Sequence, residues 1–239
     1  MLGYERSRTR FADGSQLLFD ESYRLAHLPL IAPSHKRVIK SKPHSGYNMG
    51  RHDTFFSLVV PLPASELQSS SAFNDLVSDV RSARLGQKIS WDTFERRLNK
   101  IHATICTMLS VGTAPTFEDE VLERLEMVGP LAIKIHGLFS GNLNLGRLYL
   151  RMYPELRDGA NMCQEIQRIC DRKITDLYVA GIFNLIDELD IEETLEFKGL
   201  LERWWDQPFF DMQVDRLWLL KSRDDLVLDG YISDEITLV

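Results

Sequence analysis

The chain has 239 residues, 44% of them hydrophobic and 26% charged, with a formal net charge of -7 at pH 7. That is globular material, able to bury roughly 70–75% of its unfolded surface as one large domain or two fused lobes, and no run of about 18 apolar residues reads as a membrane span. Residues 1–50 carry eight Lys or Arg against four Asp or Glu and the other 189 carry 20 against 31, an acidic body that argues against duplex DNA as a partner, since affinity for phosphate backbones comes from clustered Lys and Arg.

The opening Met1–Arg10 is charged and lacks the apolar segment of a secretory leader, so a cytoplasmic protein is expected. Residues 1–50 are rich in Pro, Gly, Ser and His and read as an extended arm, with one short amphipathic piece near Gln16–Ala26. Thr54–Val60, β-branched and aromatic and closed by Pro61-Leu-Pro63, predicts a first buried strand. Leu67, Phe73, Leu76, Val77 and Val80 have helical spacing and predict a helix over 65–84; 91–99 reads as a second, with Ser90 as its cap. The run from Lys100 to Met108 is strand-like. Residues 116–127 read as a helix with acids at its front. Residues 131–139 and 147–153 form two strands joined by the turn-rich 140–146. A helix over 161–172, a strand over 177–185, a helix over 191–205 and strands over 214–220 and 231–239 complete the order.

The chemistry concentrates in Lys100-Ile-His-Ala-Thr-Ile-Cys-Thr-Met108. With a period of 2, His102, Thr104 and Cys106 share one strand face and Ala103 and Ile105 the other. An imidazole moves protons near neutral pH and a hydroxyl donates to an anionic oxygen, a pairing suited to phosphate. Cys106, Cys163 and Cys170 have neither disulfide-framework nor zinc spacing, and buried free thiols are the expected reading. His35, His44 and His52 lack the short spacing that preorganises metal ligands. The acidic run Asp187–Glu193 is expected to favour the next helix's N-terminus, and Trp204, Trp205, Phe209 and Phe210 to pack at that helix's exit. There is no phosphate-binding Gly loop or dinucleotide fingerprint, so no cofactor is expected.

On these residues the chain resembles the 2H phosphoesterase superfamily, which includes bacterial 2'-5' RNA ligases and cyclic phosphodiesterases. The likeness rests on the strand Thr54–Val60, a helix, Lys100-Ile-His-Ala-Thr-Ile105, and the strands Ile133–Phe139 and Arg147–Leu150. It continues to the terminal Val214–Arg223, spanning about 54–239. It implies an α+β fold of two pseudo-symmetric lobes, antiparallel sheet plus helices, around a central cleft, with a His-x-Thr or His-x-Ser from each lobe. His102 would be one catalytic imidazole and Thr104 one phosphate-holding hydroxyl. The second motif is missing. Alignment by context places Gly181 and Phe183 where its His and Thr belong, and no histidine follows His136.

The residues that could compensate are His136, as a second proton carrier, Tyr149 or Tyr178, as phenolic acids, and Arg147 or Lys134, as phosphate neutralisers. His52, just before the first strand, is a further candidate for the cleft. The expected organisation is an arm over 1–50 and a bilobed domain over 51–239. The expected function is a phosphoesterase acting on a cyclic nucleotide or RNA end through His102 and Thr104. The alternative is a diverged phosphate- or nucleotide-binding module, with a ligand-free scaffold third.

Overall fold

The computed structural model describes residues 2–19, 27–42, 46–142 and 146–239. The apolar run after Arg51 forms β1 (Arg51–Pro61). The expected helix over 65–84 is two, α3 (Ala64–Ser69) and α4 (Ser71–Ser82), because Ser70 leaves the helical path. Its Oγ accepts from the Phe73 N–H at 3.2 Å and donates to the Phe209 carbonyl at 2.8 Å, so it caps one helix and anchors it to a distant strand. A 3-10 turn (Arg84–Lys88) leads to α5 (Trp91–Arg97) and a second such turn (Leu98–Lys100). Ser90 does not cap α5 as expected; its hydroxyl donates to Thr93 Oγ1 at 2.8 Å.

Then follow β2 (His102–Val111), α6 (Asp119–Glu126), β3 (Leu131–Phe139), β4 (Arg147–Pro154) and a small ladder of β5 (Leu156–Arg157) with β6 (Ala160–Asn161). The chain ends with α7 (Met162–Ile169), β7 (Val179–Asn184), α8 (Ile191–Arg203), β8 (Pro208–Val214), β9 (Arg216–Asp224) and β10 (Gly230–Thr237). The acidic run before α8 does cap it. Asp190 accepts from the Glu193 N–H at 2.8 Å and Glu193 accepts from the Asp190 N–H at 2.9 Å, a reciprocal capping box. Strand β8 is absent from the sequence expectation. Its Phe209 and Val214 face the core, and Phe209 stacks on Trp204 at the end of α8, so the aromatic cluster packs at that helix's exit as expected, with Phe209 and Phe210 supplied by a sheet-edge strand.

Eight strands form one sheet in the order β10-β9-β1-β2-β7-β4-β3-β8, every neighbouring pair antiparallel. The fold is α+β. The β2–β7 junction is narrow, with Ala103 opposite Ala180. On one face Leu58, Val60, Ala103, Ile105, Ala180 and Ile182 join Phe73, Leu76, Phe94, Ile166 and Phe197 from the helices in the main core. On the other face Tyr4, Phe139 and Tyr149 form a second, smaller cluster.

The leading segment is more than an extended arm. It makes two short helices, α1 (Tyr4–Ser7) and α2 (Leu28–Ile31), and buries Tyr4, Leu17, Phe19 and Leu28 against the domain. Of the amphipathic piece expected at 16–26, residues 16–19 are not helical and 20–26 lie outside the described residues. The 140–146 connection is likewise described only outside 143–145. No helix among the described residues is long and apolar enough to cross a membrane.

Candidate functional site

His102 begins β2, and its antiparallel partner β7 fixes what it faces. With Ala103 opposite Ala180, His102 lies across from Gly181 and Thr104 across from Val179. Ala103 and Ala180 point into the core, so these four neighbours look out of the opposite face. There they line a groove of about 500 Å3 together with Arg97, Thr107, Arg147, Tyr149, Leu177 and Asp225. The residue in register with Thr104 is therefore Val179 and with His102 Gly181. Of the two positions that the resemblance sets in the missing motif, Gly181 lines the groove and Phe183 is fully buried among Trp91 and Phe94.

Cys106 does not share the His102 face as the alternation predicts. Val59 pairs with Thr104 but Leu58 pairs with Cys106, a register shift of one residue between them. This bulge turns Cys106 into the core and leaves the exposed Thr107 on the groove.

The imidazole of His102 is set by its neighbours. Its Nδ1 lies 2.6 Å from the Lys100 carbonyl, an acceptor, so the proton sits on Nδ1 and Nε2 carries the lone pair. Burial lowers the pKa of the ring to about 4; the Arg97 and Arg147 charges push the same way, against the Lys100 hydrogen bond. The ring is neutral at pH 7, a proton acceptor and not a donor.

Arg97 comes up from the end of α5. It is 3% exposed, and Nη2 donates to the Gly181 carbonyl at 3.2 Å. Its Nε and Nη1 are buried without hydrogen-bond partners, as is Nε of Arg147 at the start of β4. Burial, then the Arg147 charge, lower the Arg97 pKa to about 9. Two guanidiniums with three unpartnered nitrogens in one groove are costly unless an anion completes them. Gly181 makes room for the pair: a Cβ there would stand 2.9 Å from Arg147 Nη2. The cation thus lies against the bare strand opposite His102.

Asp225 closes the rim from the turn after β9. His52 Nε2 lies 3.6 Å from its Oδ1. Burial alone would raise the Asp225 pKa, but the His52 imidazole beside it and the Arg147 and Lys42 charges hold it below the usual carboxylate range. Burial would lower the His52 pKa, but Asp225 and the Asp53 carbonyl raise it overall. The ring also stacks on Phe55 at 4.3 Å between centroids.

No model of a protein family matches the chain, and no curated protein does. Among solved structures it is similar to a conserved protein of unknown function from Agrobacterium tumefaciens, at 10% identity and a TM-score of 0.47, over 84% of this chain and 94% of that one. It is also similar to a protein of Thermus thermophilus, at 13% identity and a TM-score of 0.39, over 78% of this chain and 97% of that one.

Of the residues singled out in the sequence, His102, Thr104, Arg147 and Tyr149 meet in the groove. His136 does not join them. It is on β3, three strands from β2 and roughly 14 Å of sheet away, where it meets Tyr153 edge-on and burial, then Arg151, lower its pKa. Tyr178 is a core residue, fully buried, with its hydroxyl donating to the Thr175 carbonyl at 2.9 Å. Lys134 pairs in register with Tyr153 and Asp211, away from the groove. Sequence reasoning misses Arg97 and Asp225. The signal available for Arg97 is a charged residue placed one turn from the buried Thr93 and Phe94 of a short helix, next to the motif strand.

Proposed function

We propose that the groove binds the phosphate of a small nucleotide or an RNA end, and that the chain is a diverged 2H-phosphoesterase-like module. The observation that carries this reading is the convergence of Arg97 and Arg147, with three unpartnered nitrogens, beside His102 and Thr104. Arginine suits phosphate because its planar fork offers paired donors, and a hydroxyl such as that of Thr104 adds another. The sheet order also supports the two-lobed reading. Strands β10-β9-β1-β2 and β7-β4-β3-β8 are two sets of four meeting at the narrow β2–β7 junction, with the groove over it.

Binding is preferred to hydrolysis because opening a cyclic phosphate needs a base for water and an acid for the departing oxygen. The register-mate of His102 is a glycine covered by a guanidinium, which is no acid at neutral pH. Titration calorimetry with cytidine 2',3'-cyclic monophosphate tests the reading. Charge-assisted hydrogen bonds contribute about 1.5–3 kcal/mol, so Arg147→Gln should weaken binding by roughly 10- to 150-fold. Equal affinity in parent and variant would overturn it.

A second reading, cyclic phosphodiesterase, is favoured by the neutral His102, whose Nε2 is free to take a proton from water. Tyr149, lining the same groove, would then protonate the departing ribose oxygen. Turnover of the same ligand, falling about 100-fold or more in His102→Ala, would establish this reading over binding alone.

A further inference from the structure

The groove has an extension. Tyr149, Leu177 and Val179 line both the anion-binding chamber and an adjoining one of about 140 Å3, whose other walls are Ser7, Phe139, Gly141 and Asn142. The second chamber is apolar where the first is cationic. Phe139 and Tyr149 lie 6.4 Å apart between ring centroids, and the exposed Asn142 is placed at the edge with an amide that both donates and accepts.

One wall comes from the leading segment, outside the stretch over which the family resemblance runs. That segment is firmly held. The Gly3 N–H donates to the Asp176 carbonyl at 2.8 Å, and the buried Tyr4 hydroxyl bonds the carbonyls of Tyr178, at 2.8 Å, and Met152. Arg6 pairs with Asp176 at 2.5 Å, and the Ser7 carbonyl accepts from the Asn142 N–H at 2.9 Å. Ser7 is therefore fixed against the mouth of the chamber by bonds on both sides of it.

We propose that this chamber takes the planar base of the nucleotide whose phosphate sits on Arg97 and Arg147, and that the leading segment, through Ser7, makes the site selective for base-bearing phosphates. Three points carry this. The chambers adjoin along Tyr149, Leu177 and Val179, which sets a base in the second beside a phosphate in the first. Their volumes together fall in the range of small-molecule sites, roughly 300–1,000 Å3. The aromatic wall of Phe139 and Tyr149, the latter also under the Arg147 guanidinium, together with an amide offers a flat contact plus an edge contact, the combination that holds an unpaired base.

The proposal rests on the phosphate reading above, and the test separates the two. Calorimetry compares cytidine 2',3'-cyclic monophosphate with glycerol 1,2-cyclic phosphate, which has the cyclic phosphate and no base. The full chain should bind the nucleotide at least about tenfold more tightly, the low end of what stacking one base contributes. Ser7→Trp, which fills the chamber mouth, should erase that preference while leaving the affinity for glycerol cyclic phosphate within about twofold. Asn142→Ala, a truncation at an exposed position, should reduce the preference by about threefold. Equal binding of both ligands by the parent chain, or an undiminished preference in Ser7→Trp, would overturn the base chamber and leave the phosphate site standing. Failure of both ligands to bind the parent would overturn the phosphate reading and this proposal with it.

Discussion

Acidification from pH 7.5 to pH 5 should cost this protein stability through His102. Its pKa is lowered to about 4, by burial first and by the Arg97 and Arg147 charges, whereas in the unfolded chain it titrates near 6.5. Between those values the unfolded state binds more protons than the folded state. Stability is therefore lost as pH falls from about 6.5 and is fully lost below about 4. At pH 5 the unfolded imidazole is almost wholly protonated and the folded one only about one-tenth, which makes the loss relative to pH 7.5 about 2 kcal/mol, approaching about 3 kcal/mol in the limit. His52 works in the opposite direction: its raised pKa gives a contribution present at low pH and lost as pH rises through the folded value. The assay is urea unfolding of the parent and His102→Gln at both pH values. Groups common to the two proteins cancel in the double difference, and the parent should lose about 2 kcal/mol more than the variant. Equal losses would refute the assignment of His102 as a neutral ring.

Gly181→Ala places its Cβ 2.9 Å from Arg147 Nη2, the free end of a flexible side chain. Folding stability should change by no more than about 0.5 kcal/mol, while affinity for a cyclic nucleotide falls about tenfold as the guanidinium is displaced; unaltered affinity would mean that the guanidinium's seat on β7 is unimportant. Asp224 is 2% exposed and accepts three backbone N–H bonds, from Leu226 at 2.9 Å, Leu228 at 3.1 Å and Asp229 at 2.7 Å, which shape the turn carrying Asp225. Asp224→Ala should cost about 3 kcal/mol in denaturant unfolding by orphaning those donors; a cost below about 1 kcal/mol would show that water or other acceptors replace it.

Local pattern determined much of this molecule. The β-branched and aromatic run before Pro61, the alternating 131–139 and 147–153 and the capped helix after Asp190 all appear where the sequence places them, because each draws on neighbours within a few residues. The pairing of His102 with Thr104 was legible for the same reason: two residues apart on a strand share a face without any knowledge of the fold. Periodicity could not reveal the bulge that moves Cys106 inward, since that depends on how β2 meets β1.

Strand order was also out of reach of the sequence. His136 and Tyr149 lie on successive strands of one hairpin, yet β4 neighbours β7 while β3 lies outside it, so Tyr149 faces the groove and His136 does not. Arg97, Arg147 and Asp225 are far apart in the chain, and what joins them is the register Ala103–Ala180 and the missing side chain at Gly181. Face and element follow from short-range sterics that the sequence carries with it; the meeting of two guanidiniums beside one imidazole is a long-range outcome of sheet order, and only the folded chain decides it.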